Sequence, residues 1–306
     1  MSPRTSDQAE RLAAIEALVC RDVGRKTEEL IRVSKGGLAA AARSLSAATS
    51  VGLITGFFVP RGDVAAPETD GPVGTALLAA ALSACGVPAR IAVDSPCVAA
   101  VRAAVQALGE PAAVDEIALE DAADIDRVAR EWHRSGVTHA LAIERCGRSS
   151  DGKPRNMRGV DVSPWTAPLD DLFEGGAWQK LAVGDGGNEI GMGKLPVGLI
   201  ARAVPNGETI ACVTSCDHLV VAGVSNWGAY GLMAALAVVR PEWRPAIAKF
   251  LTAERDLAVT RATVDRAGAV DGVTARREAT VDGFGPEVHG PLIEKLSRIA
   301  RGEAAD

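Results

Sequence analysis

Short apolar runs alternate with amphipathic stretches through the first half of this chain, and that alternation restricts the fold more than any other feature. Residues 50–56 read as a buried strand, residues 73–85 as an apolar helix, and residues 89–93, after Gly86-Val87-Pro88, as the next strand. A helix over 96–108, a strand over 113–117, a helix over 124–135 and a strand over 138–143 continue the series. Repeated strand-helix units predict a parallel sheet wound with helices on its faces, whose ligands sit beyond the carboxyl ends of the strands.

The fold class expected is therefore α/β: a Rossmann-like, mostly parallel sheet with helices on both faces. Later segments extend it: a strand over 180–183, another over 207–213, a segment 220–224 leading to a helix over 229–239 that Pro241 stops, a helix over 243–267, a turn at 270–273 and a closing helix over 286–300. Residues 279–281 are strand-like up to Asp282-Gly283, and Pro60, Gly62 and Pro67 mark residues 56–69 as a loop. Upstream, Leu12, Ile15, Leu18 and Val19, then Leu30 and Ile31, recur at helical spacing, which predicts a long amphipathic helix over 7–32 broken near Gly24; a short helix over 38–48 follows. No linker-like break or internal repeat occurs, so residues 1–48 are expected to pack as a helical segment on one α/β domain of residues 49–300, or to offer a homo-oligomer contact.

Composition narrows the partner. A formal charge of −6 and only 5 Trp, 1 Tyr and 5 Phe argue against nucleic acid, which needs a basic stripe and stacking platforms. No apolar window is long enough for a membrane span, and the N-terminus lacks the apolar core of a secretory signal. Cys20, Cys85, Cys97, Cys146, Cys212 and Cys216 show no CxxC spacing and read as reduced thiols without disulfides. A cytoplasmic protein acting on a small molecule is expected.

Chemistry concentrates at the predicted strand ends. After Leu181-Ala182-Val183 comes Gly184-Asp185-Gly186-Gly187-Asn188-Glu189-Ile190-Gly191-Met192-Gly193, where glycine permits a sharp turn and a ligand's approach to bare amides. A capped glycine turn would need the same residues. Glu144-Arg145 follows the 138–143 strand, and residues 144–159 hold five Arg or Lys against two carboxylates: either a solvated loop or a carboxylate clamp. Glu68, Asp70, Asp217 and Asn226 also fall at strand ends, Asn226 serving equally well as a helix cap. A carboxylate-rich mouth beside arginines suits acid/base work on an anionic substrate or a divalent cation held by oxygens. His133, His139 and His289 fall inside or beside predicted elements, so no zinc-type set emerges, and Cys216-Asp217-His218 need not converge merely by adjacency.

Two stretches resemble the haloacid-dehalogenase-type phosphatases: Gly184 to Glu189 resembles their GDGxND magnesium motif, and Glu68-Thr69-Asp70-Gly71 their DxDG loop, with Glu68 standing where the phosphorylated aspartate belongs. A broader likeness covers roughly residues 50 to 290. Ile54-Thr55-Gly56-Phe57-Phe58, Glu68-Thr69-Asp70-Gly71-Pro72, Ala142-Ile143-Glu144-Arg145, Asn156-Met157-Arg158-Gly159, the glycine-rich stretch, Val224-Ser225-Asn226-Trp227-Gly228 and Gly268 to Thr274 resemble, in order, the D-glutamate cyclase family. The resemblance implies conversion of D-glutamate to 5-oxo-D-proline with loss of water, no ATP or redox cofactor, and a chain that holds only the cyclase part of the larger vertebrate mitochondrial relatives. For that cyclisation Asp185, Glu189 and Glu144 are the expected catalytic residues, Glu189 or Asp185 exchanging protons, and Glu144 and Asp70 are candidates to bind the ammonium. Arg145, Arg158, Asn156, Asp70, Glu68, Gly186, Gly187, Asn188 and Asn226 are the expected substrate contacts, with Arg145 and Arg158 on the carboxylates and the Gly186 and Gly187 amides on the tetrahedral oxygen. A divalent cation, if present, would fall to Asp185, Glu189 and Asp70. The alternatives are a magnesium-dependent phosphatase and a non-catalytic binder of acidic amino acids.

Overall fold

A computed structural model describes residues 3–61, 64–110, 112–119 and 122–303. Six strands form one parallel sheet: β1 (Val51–Thr55), β2 (Ala89–Asp94), β3 (Ala113–Ile117), β4 (His139–Ile143), β5 (Gln179–Gly184) and β6 (His218–Val221), in the spatial order β3-β2-β1-β4-β5-β6. The order reverses between β1 and β4, so the connections leaving those strands diverge and open a crevice at their carboxyl ends.

Both faces of the sheet are covered, and the strands show it residue by residue. Leu53, Ile91, Val93, Leu141, Ile143, Leu181 and Val183 enter one core, shared with the helices Pro72–Ala84, Ser95–Leu108, Ser225–Val239 and Pro286–Arg301. Ile54, Ala92, Ala140, Ala142 and Ala182 face a second core around Trp132 and Trp178. Alternate pointing of side chains explains this division, and the small residues on the second face make room for the indoles. Gly52 is the extreme case: a Cβ there would lie 2.3 Å from the Trp132 ring.

Before the sheet, the helix Pro3–Val19 sends Leu12, Ile15 and Val19 into the first core, and Gly37–Leu45 adds Leu38, Ala41, Ala42 and Leu45. The expected break near Gly24 is an eight-residue interruption before the helix Glu28–Val33, which sends Leu30 into the second core. None of the described helices is long and apolar enough to cross a membrane.

Three expectations need correction. Residues 207–213 do not form a strand: Asn206 takes a left-handed conformation, Gly207–Ile210 makes one helical turn, and the amides of Cys212 and Val213 are taken by Gly187 and Arg148 carbonyls instead of a sheet neighbour. The sixth strand lies later, at His218–Val221, paired to β5. The 243–267 helix is divided: Arg244–Ile247 is a single turn, and Ala253–Ala267 starts afresh because the Thr252 hydroxyl accepts from the Arg255 amide. Within the 56–69 loop, Phe58–Arg61 and Val64–Pro67 pair as an antiparallel hairpin; Gly62 lies outside the described residues.

Candidate active site

At the β1/β4 crevice, the two apolar helices Pro72–Ala84 and Ser225–Val239 begin side by side and satisfy each other's first amides. Asp70 accepts from the amides of Ser225 (3.0 Å) and Asn226 (2.8 Å). In return the Asn226 side-chain oxygen accepts from Gly71 (3.0 Å) and Gly74 (2.8 Å), and its amide group donates to Thr69 O. Asn226, fully buried, thus serves to join the helix starts rather than to meet a ligand, and Asp70 anchors the join. Gly71 has to be glycine here: its φ is +89°, and a Cβ would come within 2.7 Å of Thr55 Oγ1 and 2.8 Å of Glu144 Cβ.

The glycine-rich turn after β5 closes on itself. Glu189 accepts from the amides of Asp185 (2.8 Å), Gly186 (2.6 Å) and Gly187 (2.7 Å), so the donors expected to meet a tetrahedral oxygen are already engaged. Glu189 holds the turn, and the turn aims Asp185 into the crevice. Asp185 Oδ2 also accepts from Ser225 N, while Glu144 Oε2 accepts from the Ser225 hydroxyl at 2.5 Å.

Arg145 stands apart from this set. Its guanidinium is sealed against Asp94 (2.5 Å) and donates to the carbonyls of Gly56 (2.9 Å) and Ala167 (2.6 Å), with 1% of the side chain exposed. The carboxylate clamp expected of Arg145 has no geometric basis, because its buried guanidinium is held by Asp94 and two backbone carbonyls and is closed off from the crevice. Arg158 does face the crevice: it is exposed and makes no side-chain hydrogen bond or ion pair among the described residues. Asn156 shapes its loop by accepting from the Arg158 and Val160 amides, and Asn188 donates to Arg155 O.

These residues surround a cavity of about 350 Å³. Glu68, Glu144, Asp185 and Asp282 line it with Arg25, Lys26, Asn156, Met157, Arg158 and Asn188, and Phe57, Val59 and Val273 supply apolar wall. The Glu68 carboxylate makes no hydrogen bond or ion pair among the described residues. Arg25, Lys26 and Asp282 were not legible as site residues, since they come from the interrupted first helix and from the loop before the last. One signal was present: Gly24-Arg25-Lys26 breaks an otherwise regular amphipathic pattern. Arg25 Nη1 donates to Asp185 Oδ1 at 2.6 Å, and Nη2 lies 2.5 Å from Asp282 Oδ2 as an ion pair.

Burial and mutual repulsion make the carboxylates weak acids. Desolvation, then Asp282, raises Asp70 to about 7, against the pull of the Asn226 and Ser225 amides and Arg25. Glu68 is pushed well above the usual range by burial and by Asp282 and Asp70. Glu144 is raised by burial and by Glu189 and Asp70. Asp185 is raised by burial, which outweighs Arg25 beside it. Arg25, the guanidinium in contact with these carboxylates, cannot balance them all in a poorly solvated pocket, which favours bound protons or a cationic ligand there. Asp70, Asp185 and Asp282, and separately Glu144, Asp185 and Glu189, each place oxygens within 4.8 Å of one another, a donor set suited to a hard divalent ion. In the first group Arg25 already touches two of the three carboxylates; in the second Glu189 is committed to amides.

Backbone strain gathers at the same place. Among the described residues, five non-glycine positions have positive φ, and three of them, Lys26, Glu144 and Asp282, line the cavity. Such conformations cost energy and persist where surrounding structure requires them.

Comparison with known proteins places this arrangement. Residues 15–297 match the family described as D-glutamate cyclase-like, C-terminal. The chain is similar to human mitochondrial D-glutamate cyclase, with 32% identity over 76% of this chain and 39% of that protein. It therefore spans about two fifths of the relative's length.

Proposed function

Because the chain belongs to the D-glutamate cyclase-like family, we propose that it converts D-glutamate to 5-oxo-D-proline and water. The observation that carries this reading is the charge layout of the cavity. Buried carboxylates form its floor, and Lys26 and Arg158, exposed and free of ion pairs among the described residues, stand at its rim. An amino dicarboxylic acid matches that layout: its ammonium is drawn to the floor, and the basic rim attracts the dianionic remainder.

In the reaction the amine attacks the γ-carboxyl carbon of the same molecule. A C–N bond forms, a C–O bond breaks, and two protons leave nitrogen to appear in the departing water, so no external oxidant or phosphate donor is needed. Confinement of the substrate in a curled pose supplies proximity. Asp185 and Glu144 flank the floor, and a carboxyl whose acidity is weakened by burial can give a proton to the leaving oxygen at neutral pH, while an ionised neighbour accepts one from ammonium. Glu68, without a protein partner, is available to the same exchange. A bound divalent ion would add Lewis-acid polarisation of the γ-carboxyl, with Asp70, Asp185 and Asp282 as the residues to hold it.

The deciding experiment incubates the purified protein with D-glutamate, L-glutamate or a generic phosphate ester, with and without a chelator, and follows 5-oxoproline by chiral chromatography and released phosphate. Formation of 5-oxo-D-proline is the expected result. Phosphate release that stops with chelator would establish a phosphatase instead, and saturable D-glutamate binding without turnover would establish a binding protein. Retention of 5-oxo-D-proline formation in chelator would make the divalent ion dispensable.

A further inference from the structure

We propose that Asp185, Arg25 and Asp282 form the subsite for the α-amino-acid head of the substrate, Arg25 receiving the α-carboxylate and the two aspartates receiving the ammonium. The inference rests on the D-glutamate reading above and assigns a job to two residues outside the sheet-borne motifs.

An ammonium and a carboxylate on one carbon need opposite charges side by side. Among the described residues around the cavity, one place offers that, the alternating strip in which Arg25 touches Asp185 at 2.6 Å and Asp282 at 2.5 Å. Lys26 and Arg158, the other cations lining the cavity, contact no carboxylate among the described residues. A guanidinium carries five N–H donors in a planar fork, and the two contacts leave donors to spare for a bidentate carboxylate. About a fifth of the Arg25 side chain, 21%, is exposed, against 1% for Arg145, so only the former can meet a ligand.

The loop that carries Arg25 is built to hold it there. Asp22 accepts from the amides of Gly24 (2.9 Å), Arg25 (3.1 Å) and Thr27 (2.9 Å) and from the Thr27 hydroxyl (2.9 Å), folding residues 22–27 around one carboxylate. Asp282 is presented by an equally constrained loop. Asp271 accepts from the amides of Val273, Thr274 and Gly283 and from the Thr280 hydroxyl, tying together the segment that ends in Asp282. Lys26, next to Arg25, and Asp282 itself both adopt left-handed backbone, with φ of 65° and 55°. Two peripheral loops thus accept strain to bring a + and a − charge to the wall of one cavity.

Removing charges from the ligand tests the assignment. KM for D-glutamate is compared with inhibition constants for 4-aminobutyrate, which lacks the α-carboxylate, and glutarate, which lacks the ammonium. Arg25→Ala is expected to raise KM for D-glutamate about 10- to 100-fold while changing 4-aminobutyrate inhibition less than about threefold. Asp282→Asn should weaken D-glutamate and 4-aminobutyrate together and leave glutarate within about threefold. Should Arg25→Ala fail to fold, Arg25→Lys, which keeps the charge but loses the fork, decides by the same ratio. Equal weakening of D-glutamate and 4-aminobutyrate by the Arg25 variant, or no change in either, overturns the subsite. A wild-type protein that makes no 5-oxo-D-proline refutes the underlying reading instead, and the two failures are distinguished by that control.

Discussion

Arg145 and Arg25 both contact buried carboxylates, yet one is sealed in the interior and the other forms part of a cavity wall. Arg145 meets a single aspartate and two backbone carbonyls, all of them inside the protein. Arg25 is shared between two aspartates in a pocket that Glu68 and Glu144 also line. A matched pair holds elements together; an outnumbered cation leaves charge for a ligand to satisfy. The difference lies in stoichiometry and access rather than residue type, which is why arginine beside a strand end is an incomplete signal.

Loss of the sealed arginine should have the largest effect. Arg145→Ala leaves Asp94 buried without its counter-charge and is expected to cost about 3–5 kcal/mol of folding free energy, read from urea denaturation. A variant with unchanged urea midpoint would show that Arg145 is dispensable to the fold and reopen it as a ligand contact. Next, Glu144→Gln removes a proton-exchanging group from the cavity while keeping an acceptor for the Ser225 hydroxyl. Its kcat should fall about 10²- to 10⁴-fold with the urea midpoint nearly unchanged. Arg158→Ala, at the rim, is expected to raise KM for D-glutamate about tenfold and alter kcat less than threefold, since it acts on the arriving anion. Full retention of KM would remove Arg158 from the binding set.

The smallest effect concerns pH. Glu68, Asp70, Glu144 and Asp185 all bind protons more tightly in the folded state than in an unfolded chain. Between the ordinary carboxylate range and the raised values the folded state therefore holds more protons. Stability from these groups is complete at low pH and declines as pH rises through the folded values, near 7 for Asp70. The melting temperature should be higher at pH 5.5 than at pH 8 by a few degrees, equivalent to about 1 kcal/mol. An Asp70→Asn variant removes one of these four groups and should make the slope shallower. A melting temperature that rises steadily from pH 5.5 to 8 would contradict the crowded-carboxylate account.

Much of the fold was readable because it depends on local periodicity. The apolar runs at 89–93, 113–117 and 138–143 fall within a residue or so of β2, β3 and β4, and the helices between them follow from spacing alone. The 207–213 run misled because an apolar, β-branched segment can be buried by loops as well as by a sheet neighbour, and only the pairing of His218–Val221 with β5 separates these outcomes. At the site, Glu68, Glu144, Asp185, Asn156, Arg158 and Asn188 do line one cavity. Glu189, Gly186, Gly187 and Asn226 belong to the same neighbourhood but spend their polar groups on the backbone, a use that glycine-rich turns and helix starts demand regardless of ligand. Arg25 and Asp282 are not legible as partners of Asp185 in sequence, because their contacts span most of the chain and the pattern break at Gly24 marks a loop without naming what it meets.

By itself the sequence determined five of the six parallel strands, that polar residues collect at their carboxyl ends, and which family the motifs resemble; each follows from patterns that repeat over a few residues. Tertiary structure alone decided which of those polar groups remain free, because hydrogen bonds and ion pairs across 40 to 160 residues, such as Arg25 to Asp185, depend on where the chain returns and not on what stands beside a residue in sequence.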